Sequence, residues 1–367
     1  MIKDNFPESG IASVHNFNAG PSILPKVVFE QASEAILNYN DTGLSILEIG
    51  HRTSLFKNVM EEARGLVREL MVLDSEHEVL FLHGGASTQF MQVPMNLLDE
   101  SETAAFSDTG VWAMKAIKEA MLFGKVEVAC SSKESNYNML PKNFTVPGYS
   151  KYFHLTTNNT IYGTQWQKIP EVNVPMVADM SSDILSRVIN FNAFDLIYAG
   201  AQKNMGAAGV NLVVVNQKIL GKVSRKIPTI MDYRNHIKEE SMLNTPPVFA
   251  VYVCMLTLRW LKQMGGVAAI EKINDQKAAL LYTEIDNNPL FSTTVYKEDR
   301  SKMNVCFAMK DKSLEEKFLS FCAEQGIVGI KGHRLAGAFR ASLYNALPLS
   351  SVQWLVEVMR EFTQKYS

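Results

Sequence analysis

The segment Tyr198-Ala-Gly-Ala-Gln-Lys-Asn-Met-Gly206 sets one lysine, Lys203, among small residues with glycines on both sides, where a strand runs out. Small neighbours let a flat ligand approach the backbone. An amine in such a crowded, partly desolvated place has a lowered pKa and can act as a Schiff-base nucleophile. Taken alone, an exposed lysine in a strand-to-helix loop is the commoner outcome. A second segment shifts that balance. Val177-Ala-Asp-Met-Ser-Ser-Asp-Ile-Leu-Ser-Arg187 puts Asp179 at the end of an apolar strand. Lys203 follows far enough on for one crossover and the next strand. Both residues then sit at the carboxyl ends of parallel strands, where open α/β sheets bind ligands. An amine for an aldehyde, and a carboxylate that keeps a pyridine nitrogen protonated, are the pair that pyridoxal 5′-phosphate (PLP) requires. An Asp after a strand can instead cap a helix; that role is assigned to Asp183 and not to Asp179.

Weaker signals surround this pair. His83-Gly-Gly-Ala-Ser-Thr-Gln89 lies between a strand and an amphipathic helix, so main-chain N–H groups and the Ser87 and Thr88 hydroxyls suit a phosphate. The same residues also make an ordinary tight turn. They match neither G-x-G-x-x-G nor a P-loop, which counts against a nucleotide-binding oxidoreductase or a Walker-type NTPase. Trp112 opens a helix where its indole could stack on a flat ring or simply pack. Asn158-Asn-Thr160 offers a hydroxyl at another strand end, and otherwise reads as a turn. Gly50-His-Arg52 and Gly332-His-Arg-Leu-Ala-Gly-Ala-Phe-Arg-Ala-Ser342 hold cations in apolar or glycine-rich company. Arg340, in an apolar strand, calls for a carboxylate or phosphate partner, either a ligand or a structural Asp or Glu. The seven histidines show no metal-ligand spacing, and no Ser-His-Asp or Cys-His pattern stands out.

The elements that must position these residues follow from composition and periodicity. The chain has 367 residues, 47% hydrophobic and 20% charged, with a net charge of −2. That excludes disorder and leaves no bulk cationic field for nucleic acid or an anionic membrane. An anionic ligand must therefore be held by local cations. Strands are expected at 78–82, 103–106, 126–129, 175–179, 195–198 and 210–215, buried on both faces, and at 152–155, with a helix over 53–73 capped by Thr53 or Ser54. The alternation predicts an α/β fold: a large domain, 17–265, with a mostly parallel central sheet covered by helices. A smaller α+β domain follows over 266–367, joined by residues 1–16. The longest apolar run, Val248 to Leu258, is too short to cross a bilayer. The acids and proline among the first eight residues do not read as a signal peptide. Four separated cysteines suit free thiols in a reducing, cytoplasmic compartment.

Phe17-Asn-Ala-Gly-Pro-Ser22, Gly50-His-Arg52, Gly84-Gly85, Val177 to Ser182, Gly200-Ala-Gln-Lys-Asn204, Asn244-Thr-Pro-Pro247, Gly332-His-Arg334 and Arg340-Ala-Ser-Leu-Tyr-Asn345 together resemble the phosphoserine aminotransferase family, a fold-type I group of PLP enzymes. The likeness runs over nearly the whole chain. It implies one PLP per subunit in a Schiff base with Lys203, Asp179 pairing with the pyridinium, Trp112 stacked on the ring and Thr160 bonding the ring hydroxyl. Ala86, Ser87 and Gln202 would hold the cofactor phosphate, joined by Asn244 and Thr245 from the second subunit of a homodimer. Arg340 would receive the substrate α-carboxylate, and His51, Arg52, His333 and Arg334 would form the pocket for the substrate phosphate or the glutamate side chain. Some relatives place an arginine where this chain has Ser87. The implied reaction is transamination between L-glutamate and 3-phosphohydroxypyruvate, giving O-phospho-L-serine for serine biosynthesis, with pyridoxine biosynthesis as a second route. Another fold-type I transaminase or lyase of small unphosphorylated amino acids is the nearest alternative.

Overall fold

The computed structural model describes residues 14–333 and 339–366. In chain order the elements are β1 (His15–Asn16), α1 (Lys26–Leu37), α2 (Ser54–Met71), β2 (His77–His83), α3 (Ala86–Leu97), β3 (Thr103–Asp108), α4 (Val111–Ala120) and β4 (Lys125–Ser131). Then come β5 (Phe153–Thr156), β6 (Met176–Asp179), β7 (Leu196–Gly200), β8 (Val210–Asn216), α5 (Tyr233–Lys238), α6 (Val248–Gln263) and α7 (Gly266–Asn287). The chain closes with β9 (Phe291–Thr293), β10 (Asn304–Met309), α8 (Glu315–Glu324), β11 (Ile327–Val328), β12 (Phe339–Ser342) and α9 (Leu349–Tyr366).

Seven strands form one sheet in the order β2-β8-β7-β6-β5-β3-β4. Every pairing is parallel except those of β8, which runs antiparallel to both its neighbours. The apolar run Val79 to Leu82 and the valine-rich stretch Val210 to Val215 supply strands buried on both faces, as a sheet between helices requires. On one face α1, α2 and α6 pack through Phe56, Val59, Val67, Val251 and Leu258; on the other, α3 and α4 pack through Phe90, Val93 and Ile117. β4 departs from the expectation of two buried faces. It is an edge strand whose Val128 is 46% exposed, and its Glu127 accepts a hydrogen bond from the Tyr149 hydroxyl (2.6 Å). The opposite edge, β2, has outward main-chain groups met by side chains: Arg64 Nε donates to Val79 O (3.0 Å) and Phe81 N–H to Ser241 Oγ (3.1 Å).

A second sheet, β12-β10-β9, is antiparallel, and β1 pairs in parallel with β11. Its core is rich in Phe291, Phe307, Phe318, Phe339 and Phe362. α7 belongs to both cores: Val267 and Ile270 pack in the first, Ala278, Leu281 and Ile285 in the second. Two capping expectations fail. Thr53 stands at the expected N-cap position of α2, but its Oγ1 donates to Gly50 O (2.8 Å) and makes no capping bond. No helix follows Asp183; its buried carboxylate accepts from Thr157 Oγ1 (2.5 Å) and Gln165 Nε2 (3.1 Å) and pairs with Arg187 (3.5 Å). Three partners inside the fold satisfy that charge, so capping a helix is not what holds it.

Candidate active site

β6 and β7 run side by side with Asp179 opposite Tyr198, so Asp179 and the loop that follows Gly200 open on the same rim of the sheet. That loop turns tightly, the Met205 and Gly206 N–H groups both donating to Ala201 O. It is pressed on α6 so closely that a Cβ at Gly206 would lie 2.4 Å from Cys254 Sγ, which only glycine tolerates. Lys203 Nζ donates to Thr160 Oγ1 (2.7 Å) and stands 5.6 Å from the centre of the Trp112 indole. Its pKa is lowered to about 8: burial is the main cause, the Asp179 charge opposes it, and the nearby Arg340 adds to the lowering.

Asp179 is 4% exposed. Its Oδ1 accepts from the Ser181 N–H (2.9 Å) and hydroxyl (2.6 Å), and Ser181 Oγ accepts from the Gly200 N–H (3.1 Å). No protein donor meets Oδ2 among the described residues. Burial pushes this carboxyl's pKa up, while Lys203 and the Ser181 bonds pull it down. An anion so placed is costly without a positive partner. Behind it, Tyr198 OH meets His154 Nε2 (2.8 Å), and His154 stacks on Phe106.

Arg340 lies on β12, opposite Cys306 of β10. Its Nη1 donates to Thr160 O (3.2 Å), and its buried Nε has no acceptor. Among the described residues no carboxylate is within ion-pair distance of it, so the structural salt bridge is not its role. Thr160 thus joins two cations, its hydroxyl to Lys203 and its carbonyl to Arg340. Near them, Trp112 Nε1 is buried and unpartnered.

The start of α3 lies beside the same loop, because the Gly84 N–H donates to Gly209 O (3.2 Å). Gly84 has φ +89°, and a Cβ there would overlap Thr88 Oγ1 at 2.2 Å. Ala86 and Ser87 occupy the first turn, where a helix start offers main-chain N–H groups to an anion. Gln202 folds over Gly200, where a Cβ would come 2.8 Å from its Oε1.

Not every expected residue joins this group. His51 is half-buried with an unpartnered Nε2, and Arg52 is exposed. Neither contacts Lys203 or Arg340 within one chain. Thr245 O accepts from His83 Nε2 (2.6 Å), and neither Asn244 nor Thr245 bonds Ala86 or Ser87. His333 is half-buried, and Arg334 lies outside the described residues. Sequence reasoning missed Ser181 and Ser22. The first was legible as the D-x-S spacing that folds a hydroxyl back on its own carboxylate. Ser22, whose hydroxyl donates to Lys203 O and N–H to Gln202 O, is too far away in sequence to be inferred.

An amine of reduced basicity, a buried carboxylate with one oxygen unmet, an indole with a free N–H, a hydroxyl and a helix start together fit PLP. Comparison with known proteins agrees. The family profile Aminotransferase class-V matches residues 14–355. Phosphoserine aminotransferase of Flavobacterium psychrophilum is 58% identical over 352 residues, covering 96% of this chain and 99% of that protein. The enzyme of Porphyromonas gingivalis is 54% identical with the same coverage. Among solved structures, phosphoserine aminotransferase from Bacillus circulans subsp. alkalophilus aligns with TM-score 0.94 at 41% identity, covering 97% of this chain and 99% of that one. The PLP-bound phosphoserine aminotransferase from Trichomonas vaginalis aligns with TM-score 0.90 at 34% identity, covering 95% and 100%.

Proposed function

Since the chain belongs to the phosphoserine aminotransferase family of class-V aminotransferases, we propose that it moves the amino group of L-glutamate to 3-phosphohydroxypyruvate, yielding 2-oxoglutarate and O-phospho-L-serine. The cofactor is PLP, and the fold is that of a fold-type I aminotransferase. When bound, PLP supplies an aldehyde that condenses with amines and a ring that accepts the electron pair left by a departing Cα proton. The residues of this chain do the rest. Lys203 Nζ would hold the aldehyde at rest, and as a free amine it would carry a proton from the substrate's Cα to the cofactor carbon that bore the aldehyde. Its lowered basicity suits a base working near neutral pH. Asp179, oriented by the two Ser181 bonds, would pair with the ring nitrogen and keep it protonated. Trp112 covers the ring, Thr160 meets its hydroxyl, and Ala86, Ser87 and Gln202 take the phosphate. Arg340 grips the α-carboxylate in a forked contact.

The observation that carries this reading is the double use of Thr160, which sets the amine and the carboxylate-binding cation on either side of one residue. His51, Arg52, His333 and Arg334 are proposed to receive the phosphate or the glutamate side chain. Because no hydrogen bond or ion pair links Asn244, Thr245, His51 or Arg52 to Lys203 within one chain, we assign the working unit to a homodimer with shared sites. Exposed Leu37 (80%), Leu44 (45%) and Leu47 (60%), close in sequence to His51, supply apolar surface for it. The two domains are taken as 17–265 and 266–367 with 1–16. No helix among the described residues is long and apolar enough to cross a membrane, and four free buried cysteines favour the cytoplasm. The longer 3-hydroxy-2-oxo-4-phosphobutanoate has the same two ends and is proposed as a second acceptor. The test is turnover of phosphoserine against serine and alanine with 2-oxoglutarate. Strong preference for phosphoserine is expected, and equal rates would favour a transaminase of unphosphorylated amino acids.

A further inference from the structure

Lys277, in the middle of α7, is fully buried, yet it takes no part in the chemistry above. Its Nζ donates to three main-chain carbonyls, Leu343 O (2.9 Å), Tyr344 O (2.8 Å) and Leu347 O (3.1 Å). Three acceptors are the full complement of an ammonium. Among the described residues no carboxylate pairs with it. An apolar chain of similar length would fill the same space without desolvating a charge. What the ammonium adds is direction, and all three carbonyls belong to the segment that leaves β12 just after Arg340.

That segment is tied elsewhere as well. The Asn345 N–H donates to Asn204 Oδ1 (2.8 Å), its Nδ2 to Leu185 O (2.9 Å), and its Oδ1 accepts from Asn274 Nδ2 (2.9 Å). Asn274, one turn before Lys277 on α7, also donates to Ser186 O (2.9 Å). Asn204, the neighbour of Lys203, donates to Ile184 O (2.5 Å). All three asparagines are buried. One polar network therefore spans the segment after Asp179, the loop of Lys203, the segment after Arg340 and the helix shared by both cores.

We propose that Lys277, acting through Asn345 and Asn204, is a positioning residue that fixes Arg340 relative to Lys203 and so sets how tightly the substrate's α-carboxylate is held. This rests on the roles given above to Arg340 and Lys203. The tie through Thr160 holds the two cations at the site itself, and this network holds their strand and loop from behind.

The test uses PLP-loaded enzyme carrying Lys277→Met, which keeps an unbranched chain and removes the donors. Glutarate, a dicarboxylate with no amine to react, is titrated by calorimetry, and KM and kcat are measured for phosphoserine and glutamate. Displacement of a binding group by a fraction of an ångström to about 1 Å is expected to weaken glutarate binding and raise both KM values by about ten- to a hundred-fold, with kcat changing less. The visible absorbance of the bound cofactor should match the parent. A lower Tm with glutarate affinity within about two-fold of the parent overturns the proposal, because a merely structural clamp would behave so. If Lys277→Met does not fold, the same titration on Asn345→Ala decides by the same criteria; if neither folds, the network is structural and the proposal fails. Parent enzyme that binds glutarate but turns over no phosphoserine overturns the substrate assignment instead.

Discussion

At the residue scale the proposed chemistry rests on Lys203 and the two charges that bracket it. Burial and Arg340 favour its neutral amine, with the midpoint at about 8, while Asp179 favours the ammonium. Only the neutral amine attacks an aldehyde. Capture of PLP by the cofactor-free chain, followed by stopped-flow absorbance, should therefore speed up as pH rises through about 8 and level off above it; a flat profile would contradict this. Lys203→Ala should yield protein without the bound yellow chromophore and without transamination. Arg340→Ala should retain cofactor but raise KM for both amino acids, since an unpaired carboxylate at such a contact costs about 2–5 kcal/mol. Unchanged KM values would remove Arg340 from the substrate site.

At the scale of elements, β5 and β7 meet beneath Asp179 through His154 and Tyr198. Burial holds the His154 pKa at about 3, against 6.5 for a free imidazole. The unfolded chain then binds the extra proton between those values and the folded chain does not. Stability from this group is full above 6.5 and falls as pH drops toward 3, by about 1.4 kcal/mol per pH unit. His154→Gln keeps a donor for Tyr198 and does not titrate, so urea unfolding should give a shallower acid decline in that variant. Equal slopes would show that His154 is protonated in the fold. The strands that carry the site were readable because their apolar runs end abruptly at Asp179 and Gly200. β4 was misjudged since an edge and a central strand share the same short apolar pattern. Lys203 and Asp179 could be paired from spacing alone. The Thr160 link to Arg340 could not, as it joins residues 180 positions apart through a main-chain carbonyl that carries no side-chain signature. Asp183 departs from its expected cap for a related reason: besides Arg187, four residues on, its partners Thr157 and Gln165 come from a separate stretch of chain.

For the whole molecule, the proposed sharing of sites between two subunits has a sharp consequence. Lys203→Ala and Asn244→Ala strike different halves of one composite site. If unfolded chains of the two variants are mixed and refolded, a mixed dimer concentrates both lesions in one site and leaves the other complete. Activity should then exceed that of either variant refolded alone, measured by phosphoserine turnover; no gain would mean that each chain works by itself. How two copies meet is narrowed by the rims of the large sheet. Arg64 and Ser241 occupy hydrogen-bonding groups on one rim, and the other carries Lys125 and Glu127. Charged or plugged rims discourage strand-by-strand growth between molecules. Strand-by-strand growth into fibrils is therefore disfavoured, and the proposed dimer would be built through helices and loops.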